Sequence, residues 1–421
     1  MSATMDVDHF SSYFNHCKAV YLEGRTYPVN IYYTLKPYDD YQTACVATFF
    51  KIHREAPPNF DVLIFLTGQE EIEAVAHQIR TMSKDPEVEG PPMKIFTLYA
   101  AQPSAQQLNV FQPAPEGNRK VIISTNIAET SVTITGIRYV IDGGMVKVRS
   151  FHPSTGLEML KVQRISQEQA WQRTGRAGRE SEGSCYRIYT SSQFELLSKA
   201  AKPEIQRVNL NSVVLQLLSL GVQPQHFDFM NKPPKDAIED ALEQMKWLGA
   251  IHDIADAKLT EAGRLMSKFP LDPRFSKIIL SAQKYGCMEE ALIIVAFLSG
   301  ESVLLNPSNR KEQAKNVRQK FYSGYGDHVT LLNIYREFSE VGQSKRRVWC
   351  HQHFINMRNI INIQKIRAQL EEICNSFNIP SSSCGSQMDI LRKCLLSGLF
   401  MNVAEVRKDR QYVTISGSSR A

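Results

Sequence analysis

In the first 190 residues, short runs of apolar, often β-branched side chains alternate with stretches whose apolar positions recur at i, i+3 and i+4. The runs predict strands at 20–22, 62–66, 94–98, 121–124, 139–141 and 185–189, and the helical spacing predicts helices near 38–54, 69–83 and 104–111. Polar or proline-rich breaks at 56–59, 85–92 and 113–118 separate them. This is the pattern of a parallel sheet covered by helices, so the expected class is α/β, with this domain spanning 1–190. The stretch 145–165 differs, because β-prone 146–151 and 157–162 flank the turn sequence His152-Pro153-Ser154-Thr155-Gly156. It predicts a protruding hairpin, made basic by Lys147, Arg149, Lys161 and Arg164. Pattern alone leaves a sheet extension and a nucleic-acid wedge equally open.

From Pro203 the pattern turns helical. Residues 209–220 carry Val213, Leu217 and Leu220 with Val214 and Leu218 on one face and end at Gly221, and 235–248 repeat the amphipathic spacing. With a short strand-like connection at Leu259-Thr260 this is a unit of winged-helix size, expected at 191–270. Pro270 and Pro273 mark the next boundary, before a helical block at 271–370 with basic clusters at 310–320 and 345–347, each more often a solvated face than a groove. A Ser/Gly-rich stretch at 380–386 precedes a last strand-like segment at 412–415.

Composition narrows this picture without changing it. The 421 residues are 43% hydrophobic and 22% charged, enough for several cores. A net charge of +6 permits a polyanionic partner without demanding one. The longest apolar stretch, 291–298, is too short to span a membrane, so no membrane association is expected, and the N-terminus lacks the pattern of a secretory signal. The eight scattered cysteines suit a reducing compartment, and Cys350, His351 and His353 lack the C-x-x-C partner of a zinc site, so no metal ligand is assigned.

The densest candidate chemistry lies at 166–179, S-Q-E-Q-A-W-Q-R-T-G-R-A-G-R. Ser166 and Gln169 have capping-box spacing, and a helix continued from there would set Gln172, Arg176 and Arg179 on one face. Gly175 and Gly178 would leave room for a bulky anion beside the guanidiniums, whose planar forks suit phosphate oxygens. Arg173 would point elsewhere and pair with an acidic residue. A solvated basic helix end is the minor alternative.

Several stretches together resemble the DEAH-box group of ATP-dependent RNA helicases from their third motif onward. Ser2-Ala3-Thr4 is similar to the coupling motif III, Phe65-Leu66-Thr67-Gly68 to motif IV, the 124–134 sequence S-T-N-I-A-E-T-S-V-T-I to motif V, and 172–179 to motif VI. The resemblance implies a RecA-like domain followed by winged-helix, helical-bundle (ratchet-like) and, at 371–421, truncated OB-fold modules. It implies that Thr67, Gly68, Thr125 and Asn126 hold the RNA backbone, that Ser131 and Thr133 face the nucleotide, and that Phe111 stacks on adenine. On their own, Thr67-Gly68 reads as an ordinary turn and Phe111 as core. By the same resemblance Arg176 and Arg179 are catalytic arginine fingers and Gln172 orients the γ-phosphate and water. It also implies an N-cap at Asp327 for a bundle helix, RNA and helicase activator proteins as partners, and a monomer. The chain is most similar to the subgroup associated with ribosomal RNA production and ribosome assembly, which implies the nucleus and, within it, the nucleolus.

Two departures limit the claim. The sequence has no Gly-Lys dipeptide, hence no P-loop, and no Asp-Glu dipeptide, hence no D-E-A-H to hold magnesium. The chain reads as though it opens on motif III and closes inside the OB-fold. ATP with Mg2+ is therefore the expectation for the complete helicase, whereas this chain is expected to bind ATP weakly, hold no tight cofactor and not hydrolyse ATP alone. A non-catalytic RNA- or partner-binding module is the alternative. Sequence-specific DNA binding has little support, because 209–220 offers almost no side chains suited to base edges.

Overall fold

The computed structural model describes residues 6–22, 27–100, 102, 104–130, 133–152, 157–307, 310–407 and 412–414. The chain divides into two compact units, one of Met1–Ser150 with Met159–Arg207 and one of Phe151–Glu158 with Val208–Ala421. No helix among the described residues is long and apolar enough to cross a membrane.

The first unit is built on a six-stranded sheet in the order β1-β8-β5-β2-β4-β3, every neighbouring pair parallel. Its strands are β1 (Val29–Tyr33), β2 (Asp61–Phe65), β3 (Met93–Leu98), β4 (Arg119–Ser124), β5 (Ile137–Asp142) and β8 (Gly183–Arg187), while β6 (Met145–His152) and β7 (Leu157–Arg164) form the separate hairpin. Helices α1 (Val7–Tyr13), α2 (Tyr41–Glu55), α3 (Gln69–Met82), α4 (Ser104–Asn109), α5 (Ile127–Thr130), α6 (Gln167–Thr174) and α7 (Ser191–Glu195) complete it. The run 62–66 is apolar throughout because both faces of β2 are covered. Val62, Ile64 and Leu66 join a core with α2 and α3, and Leu63 and Phe65 join the opposite core with Val110, Ala128, Ile134 and Ala177.

Two expectations fail in this unit. Residues 20–22 are β-prone but form no strand, and Val20, Tyr21 and Leu22 are exposed. The edge strand is β1 instead, whose alternating half-buried and exposed positions give a weaker signal. The domain also runs past 190, because Phe194 and Leu197 pack with Tyr189, Ile165 and Val146 around the hairpin root.

Arg119 shows how a buried cation serves the fold. From the start of β4 it donates to the carbonyls of Ile52, His53, Ala56 and Pro57, closing the carboxyl end of α2, where Ile52 already accepts from the Ala56 amide and the carbonyls after it run out of helical donors.

In the second unit, α8 (Asn211–Ser219), α9 (Lys235–Trp247) and α10 (Glu261–Met266) surround the bridge between Ile251 and Leu259. Among the described residues seven α-helices follow: α11 (Pro273–Tyr285), α12 (Met288–Ser299), α13 (Lys311–Arg318), α14 (Asp327–Glu340), α15 (Arg346–Gln352), α16 (Met357–Ser376) and α17 (Met388–Leu399). The apolar stretch at 291–298 is the middle of α12, buried on nearly every side, as a helix without a polar face must be. Two boundaries shift here. Helix α16 continues to Ser376, and α17 puts Leu391, Cys394 and Leu395 into the bundle core, so most of the segment expected as an OB-fold belongs to the bundle. Beyond it, the described strands are β9 (Ala404–Val406) and β10 (Tyr412–Thr414), an antiparallel pair that does not show an OB-fold. Asp327 is the first residue of α14 rather than its cap; Gly326 takes the cap position at φ 106°. Cys350 lies in the bundle core, and the His353 ring packs against Trp349 and Phe321.

Candidate functional site

Parallel strands deliver their carboxyl ends to one edge of the sheet, where open α/β sheets bind ligands. Strands β2 and β4 are neighbours with Phe65 opposite Ser124, and the Leu66 amide donates to the Ser124 carbonyl at 2.9 Å. Thr67-Gly68 and Thr125-Asn126 therefore leave the sheet side by side. Strand β5 lies on the other flank of β2, with Asp142 opposite Phe65. The fold thus brings the four residues assigned to the RNA backbone to one edge.

Local hydrogen bonds fix this edge. The Thr67 amide donates to Glu71 Oε2 at 3.1 Å, and Tyr41 donates its hydroxyl to Glu71 Oε1 at 2.7 Å. Gly68 opens α3 with no side chain over its first amides, and a methyl group there would stand 4.0 Å from Lys147 Nζ, on the basic hairpin. Asn126 is exposed, and Thr125 Oγ1 accepts from the Ile127 amide at 3.5 Å, starting α5. Lys147, Glu71 and Tyr41 were not among the residues expected at this edge. Glu71, four residues after Thr67 in the first turn of a helix, is the one with a readable signal.

The 166–179 stretch behaves as expected at its start and differently at its end. Ser166 and Gln169 form the capping box. The helix stops at Thr174, and the chain leaves it in two tight turns, Arg176 N to Arg173 O and Ala177 N to Thr174 O. Gln172, Arg176 and Arg179 therefore do not share a helix face; Gln172 is on α6 and the arginines are on the loop beyond. Gly178 also has a different use. A methyl there would lie 2.6 Å from the Tyr27 carbonyl oxygen and 2.7 Å from Val29, so its small size admits the chain leading into β1 rather than an anion.

Arg173 is fully buried and paired on two sides, with Nε 3.0 Å from Glu129 and an Nη 2.7 Å from Asp142. It also donates to the Met145 carbonyl at the hairpin root and lies over the Phe65 ring. Burial alone opposes its charge, but Asp142 and Glu129 hold its pKa above the ordinary value. Asp142 further accepts from the Gly144 amide and the Tyr189 hydroxyl, and Glu129 accepts from Gln169. An acidic partner for Arg173 was legible. That it is two carboxylates, from α5 and the end of β5, was not.

Arg176 is also buried, but its environment has the opposite sign. It donates to the Glu129 main-chain carbonyl, and burial together with the positive charge of Arg179 brings its pKa down to about 10, against a smaller opposing pull from Glu129. Arg179 is half-buried, with no hydrogen bond or ion pair to another described residue. Thr133, exposed, lies in the segment tied to this loop at both ends, by Arg176 on Glu129 and by the Gly136 amide on Glu180 at 2.9 Å. Phe111, 39% exposed, follows the buried Val110 on the same side of the sheet as Ala128, Ile134 and Ala177. So the immediate neighbours of Phe111, Thr133 and Arg176, namely Val110, Ile134 and Ala177, join one core on the face of the sheet opposite α3, and Arg179 lies close enough to Arg176 to act on its charge. Ser131 and the segment Ser2, Ala3 and Thr4 lie outside the described residues.

Chemically, these described residues offer guanidiniums, a hydroxyl and an aromatic ring, a set that can neutralise and orient a polyphosphate. They offer no carboxylate cluster for a divalent ion: among the described residues no three His, Cys, Asp or Glu side chains are placed to hold a metal. Among the described residues, then, these side chains form no set that would hold magnesium by itself.

The family model described as helicase conserved C-terminal domain matches residues 45–181, the winged-helix model of the helicase associated domain matches 241–271, and its ratchet-like model matches 272–331. The ATP-dependent RNA helicase DHX33 of Mus musculus and that of Homo sapiens are each 52% identical over 416 residues, 98% of this chain and 59% of the relative. The protein of the same name from Drosophila melanogaster is 46% identical over 420 residues, 100% of this chain and 60% of the relative. The chain thus spans about three fifths of the length of the curated relatives it matches.

Proposed function

We propose that this chain, which belongs to the DEAH-box RNA helicases and corresponds to their C-terminal part, supplies the arginine side of a composite ATPase site together with a grip on RNA. The observation that carries the reading is the pair Arg176 and Arg179, two like charges held together in partly buried surroundings. Such a pair is relieved by an anion, and a γ-phosphate gaining charge in the transition state is the anion the family requires. Gln172, one turn earlier on α6, orients the phosphate and water, Phe111 takes the adenine ring, and Ser131 and Thr133 flank the nucleotide. Thr67, Gly68, Thr125 and Asn126 hold RNA phosphates through hydroxyls, amides and the open start of α3.

The P-loop amides and the carboxylates that hold magnesium belong to the other side of such a site, and this sequence contains neither motif. The chain alone is therefore expected to bind ATP weakly and not to turn it over. Steady-state ATP turnover by the purified chain, lost on Arg176→Ala, would contradict this reading. A second reading, a non-catalytic RNA-binding module, is favoured by Lys147 beside Gly68 on a basic hairpin. RNA binding that needs no nucleotide supports that second reading. The proposal includes work in the nucleus, with the nucleolus as compartment, and a helicase activator as protein partner; the resemblance supports both.

A further inference from the structure

The Ser/Gly-rich stretch at 380–386 has no part in the site above, and the fold gives it a defined seat. Residues 379–384 form neither helix nor strand, yet Ser381, Ser382 and Ser383 hold them against the start of α12. Ser382 covers two of the amides that a helix leaves without internal partners: Met288 N donates to its hydroxyl at 3.3 Å and Glu289 N to its carbonyl at 2.9 Å. Ser381 donates its hydroxyl to Glu289 Oε1 at 3.4 Å. Ser383 donates its hydroxyl to Glu290 Oε1 at 2.6 Å, and the Cys384 amide donates to Glu290 Oε2 at 3.2 Å.

Glu290 decides what this seat tolerates. It is 1% exposed, and the cation paired with it is Arg336 of α14, 2.9 Å from the same Oε1 that accepts from Ser383. Carboxylate and guanidinium balance, with both carboxylate oxygens hydrogen-bonded, as a buried acid requires. A second anion would find no counter-charge left, and Glu289 adds to the negative side. Ser383 itself is exposed, like Ser381, Gly385 and Ser386. A residue open to solvent thus shares a hydrogen bond with a buried carboxylate.

We propose that Ser383 is a phosphorylation site and that its phosphate releases the 380–386 stretch from α12. A serine kinase transfers the γ-phosphoryl group of ATP to Ser383 Oγ: the Oγ–H bond and the bond from the γ-phosphorus to its bridging oxygen break, the Oγ–P bond forms, and ADP and the proton leave. The segment has no ladder or helix bonds of its own, so it reaches the kinase when it lifts from α12. The phosphate carries a charge of about −1.5 to −2 near neutral pH and puts acceptor oxygens where a donor stood, so it repels the carboxylate that the hydroxyl served. Return is blocked, α12 loses its Ser382 cap, and the connection between α16 and α17 is freed from the bundle. None of this depends on the nucleotide or RNA chemistry proposed above.

The test is hydrogen exchange of the full chain carrying phosphoserine at 383, placed there by suppression of an amber codon, read at the amides of Met288, Glu289 and Cys384. Exchange at all three is expected to rise at least about tenfold, as for the loss of one hydrogen bond to a charged group, while protection in α11 and the middle of α16 is kept. Ser383→Ala, which removes the bond without adding charge, is expected to raise exchange less. In a Glu290→Gln background the effect of the phosphate is expected to shrink, which lost packing alone would not produce. Phosphoserine at 386, outside the Glu290 network, is expected to leave the three amides as they are. Parental exchange with phosphoserine at 383 overturns the proposal, as does an equal rise from phosphoserine at 386 or a phosphate effect that persists in full with Glu290→Gln. Tandem mass spectrometry of the chain isolated from eukaryotic cells with phosphatases inhibited checks the site itself. Phosphate on Ser383 is expected there; its absence from Ser383 overturns the assignment.

Discussion

Arg173 and Arg176 are less than one helical turn apart in sequence and both are buried, yet they face opposite electrostatics. Arg173 is held by two carboxylates, a carbonyl and an aromatic face, and its pKa is raised. Arg176 sits beside a second guanidinium, and its pKa is lowered. The difference separates an arginine that completes the fold from one set for an anion. Arg119 and Arg187 also complete the fold but without a carboxylate on their guanidiniums, Arg119 on the carbonyls of α2, where burial lowers its pKa too, and Arg187 bonded to Tyr33 and Thr174 among the rings of Phe194, Trp171 and Tyr33; what sets Arg176 apart is the second guanidinium beside it.

The largest effect expected from this contrast is at Arg173. Arg173→Met leaves Glu129 and Asp142 buried without a counter-charge, which costs about 3–5 kcal/mol in urea unfolding. A loss under about 1 kcal/mol would show that the triad is not a unit of the fold.

Next comes His53, which Arg119 holds by its ring and carbonyl. Burial first, and the charge of Arg119 second, bring its pKa down from 6.5 to about 4. A folded pKa below the unfolded one means that the unfolded chain takes up the proton first. Stability is therefore complete above pH 6.5 and falls toward pH 4, by up to about 1.4 kcal/mol per pH unit from this group. Thermal unfolding of His53→Asn across that window should show a flatter dependence than the parent; an unchanged slope contradicts the assignment.

A smaller effect is expected at Gly178, where Gly178→Ala meets the Tyr27 carbonyl. The cost is about 1–3 kcal/mol. Hydrogen exchange should locate it in β1 and β8; loosening confined to the Arg176 loop would restore the reading of Gly178 as space for an anion. Smallest is Arg176→Ala, expected to change stability by no more than about 1 kcal/mol, since the guanidinium carries a burden of like charge along with its bond to Glu129.

Residues that work through local chemistry were legible. The capping box at Ser166, the central strands and the hairpin follow from spacing and propensity that neighbours in sequence decide. What was not legible depends on distant partners. Residues 20–22 have the composition of a strand but pair with no strand among the described residues, while Val29–Tyr33 acquires one in β8, more than 150 residues later. The end of α6 was overextended because the arginine spacing suggested a helical face, where Gly175 and the approach of Gly178 to Tyr27 set a loop. In the same way α17 reads as the start of a new module and is recruited to the bundle by Leu391, Cys394 and Leu395. The candidate site was legible as a set of motifs. The pairing of Arg173 with Glu129 and Asp142, and the support of Thr67 by Glu71, arise only once the sheet is assembled.

The central claim is that this chain contributes the arginine side of a composite site. The most direct measurement is RNA-stimulated ATP turnover when the purified chain is mixed with a separately purified domain that carries a P-loop and the D-E-A-H residues of a relative. A composite site predicts negligible turnover by either part alone, turnover by the mixture, and a fall of at least about a thousandfold with Arg176→Ala at unchanged thermal stability. Turnover by this chain alone, or a mixture as active with Arg176→Ala as without it, would contradict the claim.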